Sequence, residues 1–311
     1  MNIYLIIIII AIITLVLTVS FFKEDFTYNY EMMITTPSKE VIRYKLIKSP
    51  YFKKMNSKDL ETRQLQGKSP EEIIDFYMEN ILEINSNEKI LLNNTIRNIL
   101  DKLEEKNKKQ FMFKDPWQFV KFTNRIENGF PHTHDKLILL PERMLETVNQ
   151  HKVILVHEQV HVFQRFNPTL FHMLYTNHWN FEKKNIENLE TVESLSRTNP
   201  DGVDNNWVFT YKNVNIILIA LYDAGATNIS QATKYGIYLD KNFRVKQPIH
   251  KERLENIPEF IEFFGDIGSN SYHPNEIAAE IISKDVFNDL NSDVTSKPCY
   301  INYKKWWNNI N

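Results

Sequence analysis

The middle of this chain constrains its fold more than any other part. In Val153-Ile154-Leu155-Val156-His157-Glu158-Gln159-Val160-His161-Val162-Phe163-Gln164-Arg165, nothing interrupts a helical pattern. Val153, Ile154, Val156, Val160 and Phe163 are available for burial, so the helix belongs inside a folded domain. Residues four apart share one helix face, one turn up. His157 and His161 therefore aim their imidazoles at one point, with Glu158 beside them. Imidazole suits zinc, and three protein ligands leave a tetrahedral position for water. A neighbouring carboxylate can take a proton from that water. The motif predicts one zinc ion per chain, with His157 and His161 as ligands and Glu158 as general base.

A third ligand must come from elsewhere. In Ser271-Tyr272-His273-Pro274-Asn275-Glu276-Ile277-Ala278-Ala279-Glu280, Pro274 marks a helix start. Glu276 then lies in the first turn, and Glu280 lies one turn on, facing the same side. Glu276 is the candidate third ligand. Glu280 is placed to accept the free ring N–H of a ligand histidine and so orient it. Glu190, Glu193 and His273 compete for the third position. Arg165, one turn beyond His161, reads as a structural ion-pair partner.

The pairing of His157-Glu158-x-x-His161 with Glu276-x-x-x-Glu280 resembles the gluzincin class of zinc metallopeptidases, the thermolysin-like group. The resemblance implies a peptidase in which His157, His161 and Glu276 bind zinc, Glu158 serves as base and acid, and Glu280 supports a ligand histidine. It also implies an edge strand just before the metal helix, antiparallel to a bound peptide substrate. The segment 132–140 stands in that place, so His132, Thr133, His134 and Leu137 are expected to meet substrate, largely through main-chain pairing. The class supplies a Tyr or His to the oxyanion, for which Tyr272 and His250 are the candidates here, with His273 and Arg197 also considered. The stretch from His161 to Glu276 is longer than in thermolysin itself, implying a helical insertion, and Glu280 stands where Asp is usual. Two other readings share the motif: a zinc hydrolase of a non-peptide amide or ester, and a non-enzymatic, membrane-anchored binding protein on a degenerate peptidase scaffold. An intact Glu158 argues against degeneration, because a binder needs no general base.

The second strong constraint is N-terminal. From Ile3 to Phe22 no side chain is charged, and the run has the length of a membrane-spanning helix. It lacks a basic n-region and a small-residue cleavage site, so it reads as an uncleaved, single-pass signal anchor. Lys23, Glu24 and Asp25 do not fix which side of the membrane the rest occupies. With 37 basic and 39 acidic side chains and a formal net charge of -2, the chain offers no basic surface for nucleic acid. A single cysteine, Cys299, excludes an internal disulfide framework.

The pattern divides the chain into an anchor (1–22), a membrane-proximal linker (23–44), an N-terminal lobe with the edge strand and metal helix (45–168), and a helical C-terminal lobe carrying the third ligand (169–311). Strands are predicted over 117–121 and 136–140. Helices are predicted from Ser69, over 87–106 and from Pro141 to about 166, then over 169–184, 185–195, 216–224, 255–264 and 274–290. Trp306-Trp307 is read as packing the last helix. The expected fold class is α+β and mostly helical: a gluzincin-like zincin core with a small sheet before the metal-binding helix, a helical C-terminal lobe, and an N-terminal transmembrane helix.

Overall fold

The computed structural model describes residues 33–108 and 116–310. The run read as a membrane anchor lies outside the described residues, and among those described no helix is long and apolar enough to cross a membrane. Residues Ile34–Asn311 form one compact unit of α+β class, with two five-stranded sheets and helices packed around them.

The first sheet precedes the helix that carries His157 and His161. Its strands are β1 (Ile34–Thr35), β2 (Ile81–Leu82), β3 (Trp117–Phe122), β4 (His132–His134) and β5 (Leu137–Pro141). The order is β1-β3-β5-β4, with β2 also paired to β3. β3 and β5 run parallel, while β4 folds back on β5 as a hairpin that pairs Thr133 with Ile138. The two-residue turn is made by Asp135 and Lys136, with Asp135 at φ 53, a conformation that Asp tolerates better than most residues. Both predicted strands are present, extended by one residue at β3 and shifted by one at β5.

Helices α1 (Lys39–Lys48) and α2 (Pro70–Glu79) bury Ile42, Leu46, Ile73, Ile74 and Tyr77 with Val120, Phe122, Leu137 and Leu139 of this sheet, and α3 (Ser86–Glu105) packs against the segment 142–166. α1 occupies the end of the segment read as linker. Ser69 and Asn85 each start a helix with a reciprocal capping box, to Glu72 and Glu88, which satisfies two of the free N–H groups at each start. The long helix expected from Pro141 is broken. A short helix Glu142–Leu145 and a 3-10 turn Val148–Gln150 precede α4 (Lys152–Phe166). Thr147 and His151 leave helical geometry between them.

The helical C-terminal lobe is a correction. The second sheet lies there, formed by β6 (Phe181–Lys183), β7 (Trp207–Tyr211), β8 (Val214–Tyr222), β9 (Ala232–Tyr238) and β10 (Lys251–Arg253), all antiparallel in the order β10-β9-β8-β7-β6. Its central strand β8 covers the segment read as a helix over 216–224. Ile216 to Tyr222 are all buried, because both faces of β8 are covered. On one face Ile217, Ile219 and Leu221 cluster with Ile186, Val192 and Ile237. On the other, Phe209 of β7 meets Phe264 of α5 (Pro258–Phe264), ring centroids 5.2 Å apart. Gly236 leaves room there for Ile257 to close on the sheet, where a Cβ would collide with it.

The helices read over 169–184 and 185–195 shrink to Pro168–Met173 with a π-turn Leu174–His178, and to Glu190–Glu193. Helices α6 (Pro274–Val286) and α7 (Pro298–Asn308) complete the unit. In α7 both Trp306 and Trp307 are buried, and the buried Cys299 carbonyl accepts from Trp179 Nε1 at 2.9 Å. α4 packs chiefly against α6, and that contact builds the site.

Candidate metal centre

α4 enters the core almost fully wrapped: every residue from Leu155 to Val162 is buried. Such packing holds His157 and His161 in one orientation. Their Nε2 atoms converge to 3.0 Å. From α6, capped by His273 and led by Pro274, the carboxylate of Glu276 spans the pair. Its Oε2 lies 3.3 Å from His157 Nε2 and its Oε1 3.4 Å from His161 Nε2. The ligand-type atoms of His157, His161 and Glu276 all lie within 4.8 Å of one another.

The far side of each ring is also engaged. His161 Nδ1 is 2.8 Å from Gln164 Oε1. Gln164 Nε2 donates to the Asn275 carbonyl at 2.9 Å, which accepts only, so the amide orientation is determined. His161 Nδ1 therefore carries a proton, and in the neutral ring Nε2 turns a lone pair towards Glu276. His157 Nδ1 faces Glu280 Oε2 at 3.6 Å. Glu280 is held in turn by Lys284 Nζ at 2.7 Å and Asn270 Nδ2 at 3.2 Å. Glu276 Oε1 accepts from Asn199 Nδ2 at 2.5 Å, and the same nitrogen lies 2.6 Å from Tyr272 Oη. Two imidazoles and one carboxylate, each backed by a further polar group, form a donor set that zinc favours.

Glu158 is buried next to this trio, and its Oε2 has no hydrogen-bond partner. Burial and the Asp201 carboxylate push its carboxyl well above the usual range. Burial alone would lower the His161 pKa, but Asp201 and Glu276 raise it to about 10. Burial would raise Glu276, yet His161 and His157 hold it well below the ordinary carboxylate value. The electrostatics of the site thus call for positive charge between these carboxylates.

A cavity of about 590 Å³ opens on the trio; its lining includes His132, Val153, Glu158, Arg197, Tyr272 and Lys234. Of the competing ligands, Glu190 is exposed and Glu193 Oε1 accepts from Asn205 at 3.2 Å. His273 caps α6 through Nδ1, while its Nε2 meets the Asp204 carbonyl at 3.1 Å. His250 is exposed and stacks on Tyr238 with centroids 4.3 Å apart, away from the cavity lining. Its candidacy for the oxyanion is corrected, because it sits beside β10 on the far strand of the second sheet.

The substrate strand also needs correcting. β4 does end its sheet, but its outer groups are taken. Thr133 N–H donates to Asp201 Oδ2 at 3.4 Å, its carbonyl accepts from Arg165 Nη2 at 3.0 Å, and its hydroxyl meets both side chains. Arg165 and Asp201 also pair with each other at 2.5 Å. The loop carrying Asp201 thereby covers an edge that would otherwise invite pairing. His134 is buried against Ser49 Oγ (3.1 Å) and the Phe52 ring, and Leu137 is fully buried. His132 is the one of these four that reaches the cavity.

The sequence marks Arg197 to Gly202 as a turn or functional loop, but it gives no role to Asn199 or Asp201 there, nor to Gln164. Gln164 carried a readable signal, lying three residues after His161 on the same helix. Asn199 and Asp201 lie in a tight turn, with Asp201 N–H donating to Asn199 Oδ1 at 3.0 Å, but their contacts to the site are distant in sequence. Compared with protein-family models, with curated proteins and with solved structures, the chain matches none of them.

Proposed function

We propose that this chain is a zinc-dependent hydrolase of peptide bonds, tethered to a membrane by the uncharged run from Ile3 to Phe22. The observation that carries the reading is the convergence of His157 Nε2, His161 Nε2 and the Glu276 carboxylate beside an unpartnered, buried Glu158 oxygen. The residues that converge are those of the His157-Glu158-x-x-His161 and Glu276-x-x-x-Glu280 motifs, on which the resemblance to the gluzincins rests.

When bound, zinc supplies Lewis-acid chemistry that makes water nucleophilic at neutral pH and polarises a carbonyl. His157, His161 and Glu276 would hold the ion, and Glu280 and Gln164 would keep the two rings facing it. Glu158 would accept the proton of the attacking water and pass it to the leaving amine. A cation nearby reverses the effects that keep the Glu158 carboxyl protonated. Tyr272 is the candidate donor to the oxyanion. It lines the same cavity, and with Asn199 directed at its oxygen its own hydroxyl proton is available to donate. A preorganised donor of this kind lowers a barrier by roughly 3 kcal/mol.

The covered edge of β4 favours short substrates lying within the cavity over long peptides pairing along that strand. This observation also keeps the second reading, a small non-peptide amide or ester, in play. The test is metal analysis joined to cleavage. The full chain should hold one zinc, and Glu158→Gln should keep the zinc while losing cleavage of a short-peptide library by about 10²- to 10⁴-fold. Cleavage that survives the substitution would remove Glu158 from the chemistry. Cleavage of esters or non-peptide amides alone would favour the second reading.

A further inference from the structure

Among the described residues four Lys and Arg side chains line the cavity: Arg63, Arg197, Lys234 and Lys284. Two are neutralised where they stand. Arg63 pairs with Asp59 at 2.8 Å and Glu127 at 2.9 Å, and Lys284 pairs with Glu280. Arg197 and Lys234 differ. Among the described residues neither has a carboxylate within ion-pairing distance. Arg197 lies over the face of Tyr272, 4.7 Å from the ring centroid, and Lys234 Nζ donates to the Gly268 carbonyl at 3.0 Å.

The topology places these two cations together. Lys234 of β9 is directly opposite Ala220 of β8. On the other side of Ala220 the chain pairs Ser196 with Leu221 in antiparallel sense, and Arg197 N–H donates to the Ala220 carbonyl at 2.8 Å. Arg197, Ala220 and Lys234 therefore form one row across three neighbouring strands. Directly opposed residues point to the same face, and all three line the cavity. The middle position holds only a methyl group, which leaves a saddle between a guanidinium and an ammonium. From Arg197 the path to the metal trio is short: the ring of Tyr272, then Asn199, then Glu276. With no carboxylate in direct contact, both cations keep hydrogen-bonding capacity that an incoming anion can use.

We propose that Arg197 and Lys234, on either side of Ala220, bind a carboxylate of the substrate, so that the preferred substrates are short peptides carrying a negative charge near the scissile bond. The inference rests on the peptidase reading and adds to it the charge of the substrate. A planar guanidinium takes a carboxylate through two parallel hydrogen bonds, with the ammonium as a second, less directional contact. The carboxylate comes either from a free C-terminus or from an Asp or Glu side chain.

The test measures binding, so it is independent of turnover. The full chain carrying Glu158→Gln is treated with chelator, which prevents carboxylates from binding metal, and is titrated with three peptides of one neutral core. The first has a free C-terminus, the second an amidated C-terminus, and the third an amidated C-terminus with one Glu added. The free-acid or Glu peptide should bind on the order of 10- to 100-fold more tightly than the neutral amide. The arm that shows the gain identifies the source of the carboxylate. Arg197→Met and Lys234→Met should each shrink that gain, and Arg197→Lys should keep part of it. Lys234 is half-buried at the rim, so Lys234→Met tests the idea even if Arg197→Met fails to fold. Equal affinity for all three peptides, no binding at millimolar peptide, or a gain unchanged in Lys234→Met would overturn the inference. Cleavage of neutral amides by the zinc-loaded chain would then still uphold the hydrolase reading, whereas carboxylate binding in a chain that takes up no zinc would sink that reading and leave the saddle.

Discussion

Changing the pH of a zinc titration probes the site at its most strained point. In the metal-free protein the His161 pKa is about 10, because Asp201 and Glu276 outweigh the effect of burial. A ligand imidazole must give up its Nε2 proton, while Nδ1 keeps the one shared with Gln164. At pH 7 the ring is therefore mostly protonated, and apparent zinc affinity is weakened by on the order of a few kcal/mol relative to the deprotonated site. Glu158 can release a second proton, so Glu158→Gln is used to isolate the histidine. Glu158 is also one of the groups that raise the His161 pKa, but Asp201 and Glu276 remain in that variant, so zinc affinity should still rise with pH towards a limit of about tenfold per unit between about pH 6.5 and 8, with up to about one proton released per ion. Competition with a chromophoric chelator across pH gives the first quantity, and calorimetry in buffers of differing ionisation enthalpy gives the second. An affinity flat with pH, or zinc uptake without proton release, would refute the claim that these carboxylates hold a proton on His161 where the metal belongs.

Other outcomes follow from the same geometry. Gln164→Leu removes the acceptor that orients His161 and should weaken zinc binding about 10- to 100-fold with the fold intact by near-ultraviolet circular dichroism; unchanged affinity would show that Gln164 does not orient the ligand. His273 is held down to about 4 by burial, so the native state favours its neutral form while the unfolded chain titrates near 6.5. That contribution is present above pH 6.5 and lost as the pH falls through 4, at about 3 kcal/mol in all. Denaturant titrations at pH 7 and pH 4 should show the loss, and His273→Asn, which can still cap α6, should reduce the difference; an equal acid loss in that variant would assign it elsewhere. Asp201→Ala leaves Arg165 without its carboxylate and should cost about 3 kcal/mol of stability, read by the same denaturant method; a loss below 1 kcal/mol would mean the loop does not clamp β4.

What could be read from the sequence followed the range of the interactions. The helix carrying His157 and His161 is set by contacts one turn apart, and the position of Glu276 in a first turn follows from the helix start at Pro274, so both placements were readable. β3 and β5 were readable from their aromatic and aliphatic content. β8 was not, because Val214–Tyr222 shows no alternation once both faces are buried, and a continuous apolar run does not distinguish strand from helix. The abundance of isoleucine there was the cue that favoured a strand. Covering of β4 was unreadable for another reason. Asp201 reaches Thr133 across 68 residues and Asn199 reaches Glu276 across 77, and nothing local marks either contact. The segment 132–140 is a hairpin, not one strand, and Thr133 on its outer strand already spends its N–H and carbonyl on Asp201 and Arg165. The apolar run at the N-terminus lies outside the described residues, and its tethering role stands as part of the proposal.

X-ray absorption at the zinc edge on the full chain loaded with one equivalent of metal bears most directly on the site. The expected spectrum has a first shell of nitrogen and oxygen at about 2.0–2.1 Å with the outer-shell pattern of two imidazoles, and it should change with loss of stoichiometric zinc in Glu276→Ala. A chain that binds no zinc at micromolar concentration, or binds it with an identical spectrum after that substitution, would show that His157, His161 and Glu276 do not form a metal site.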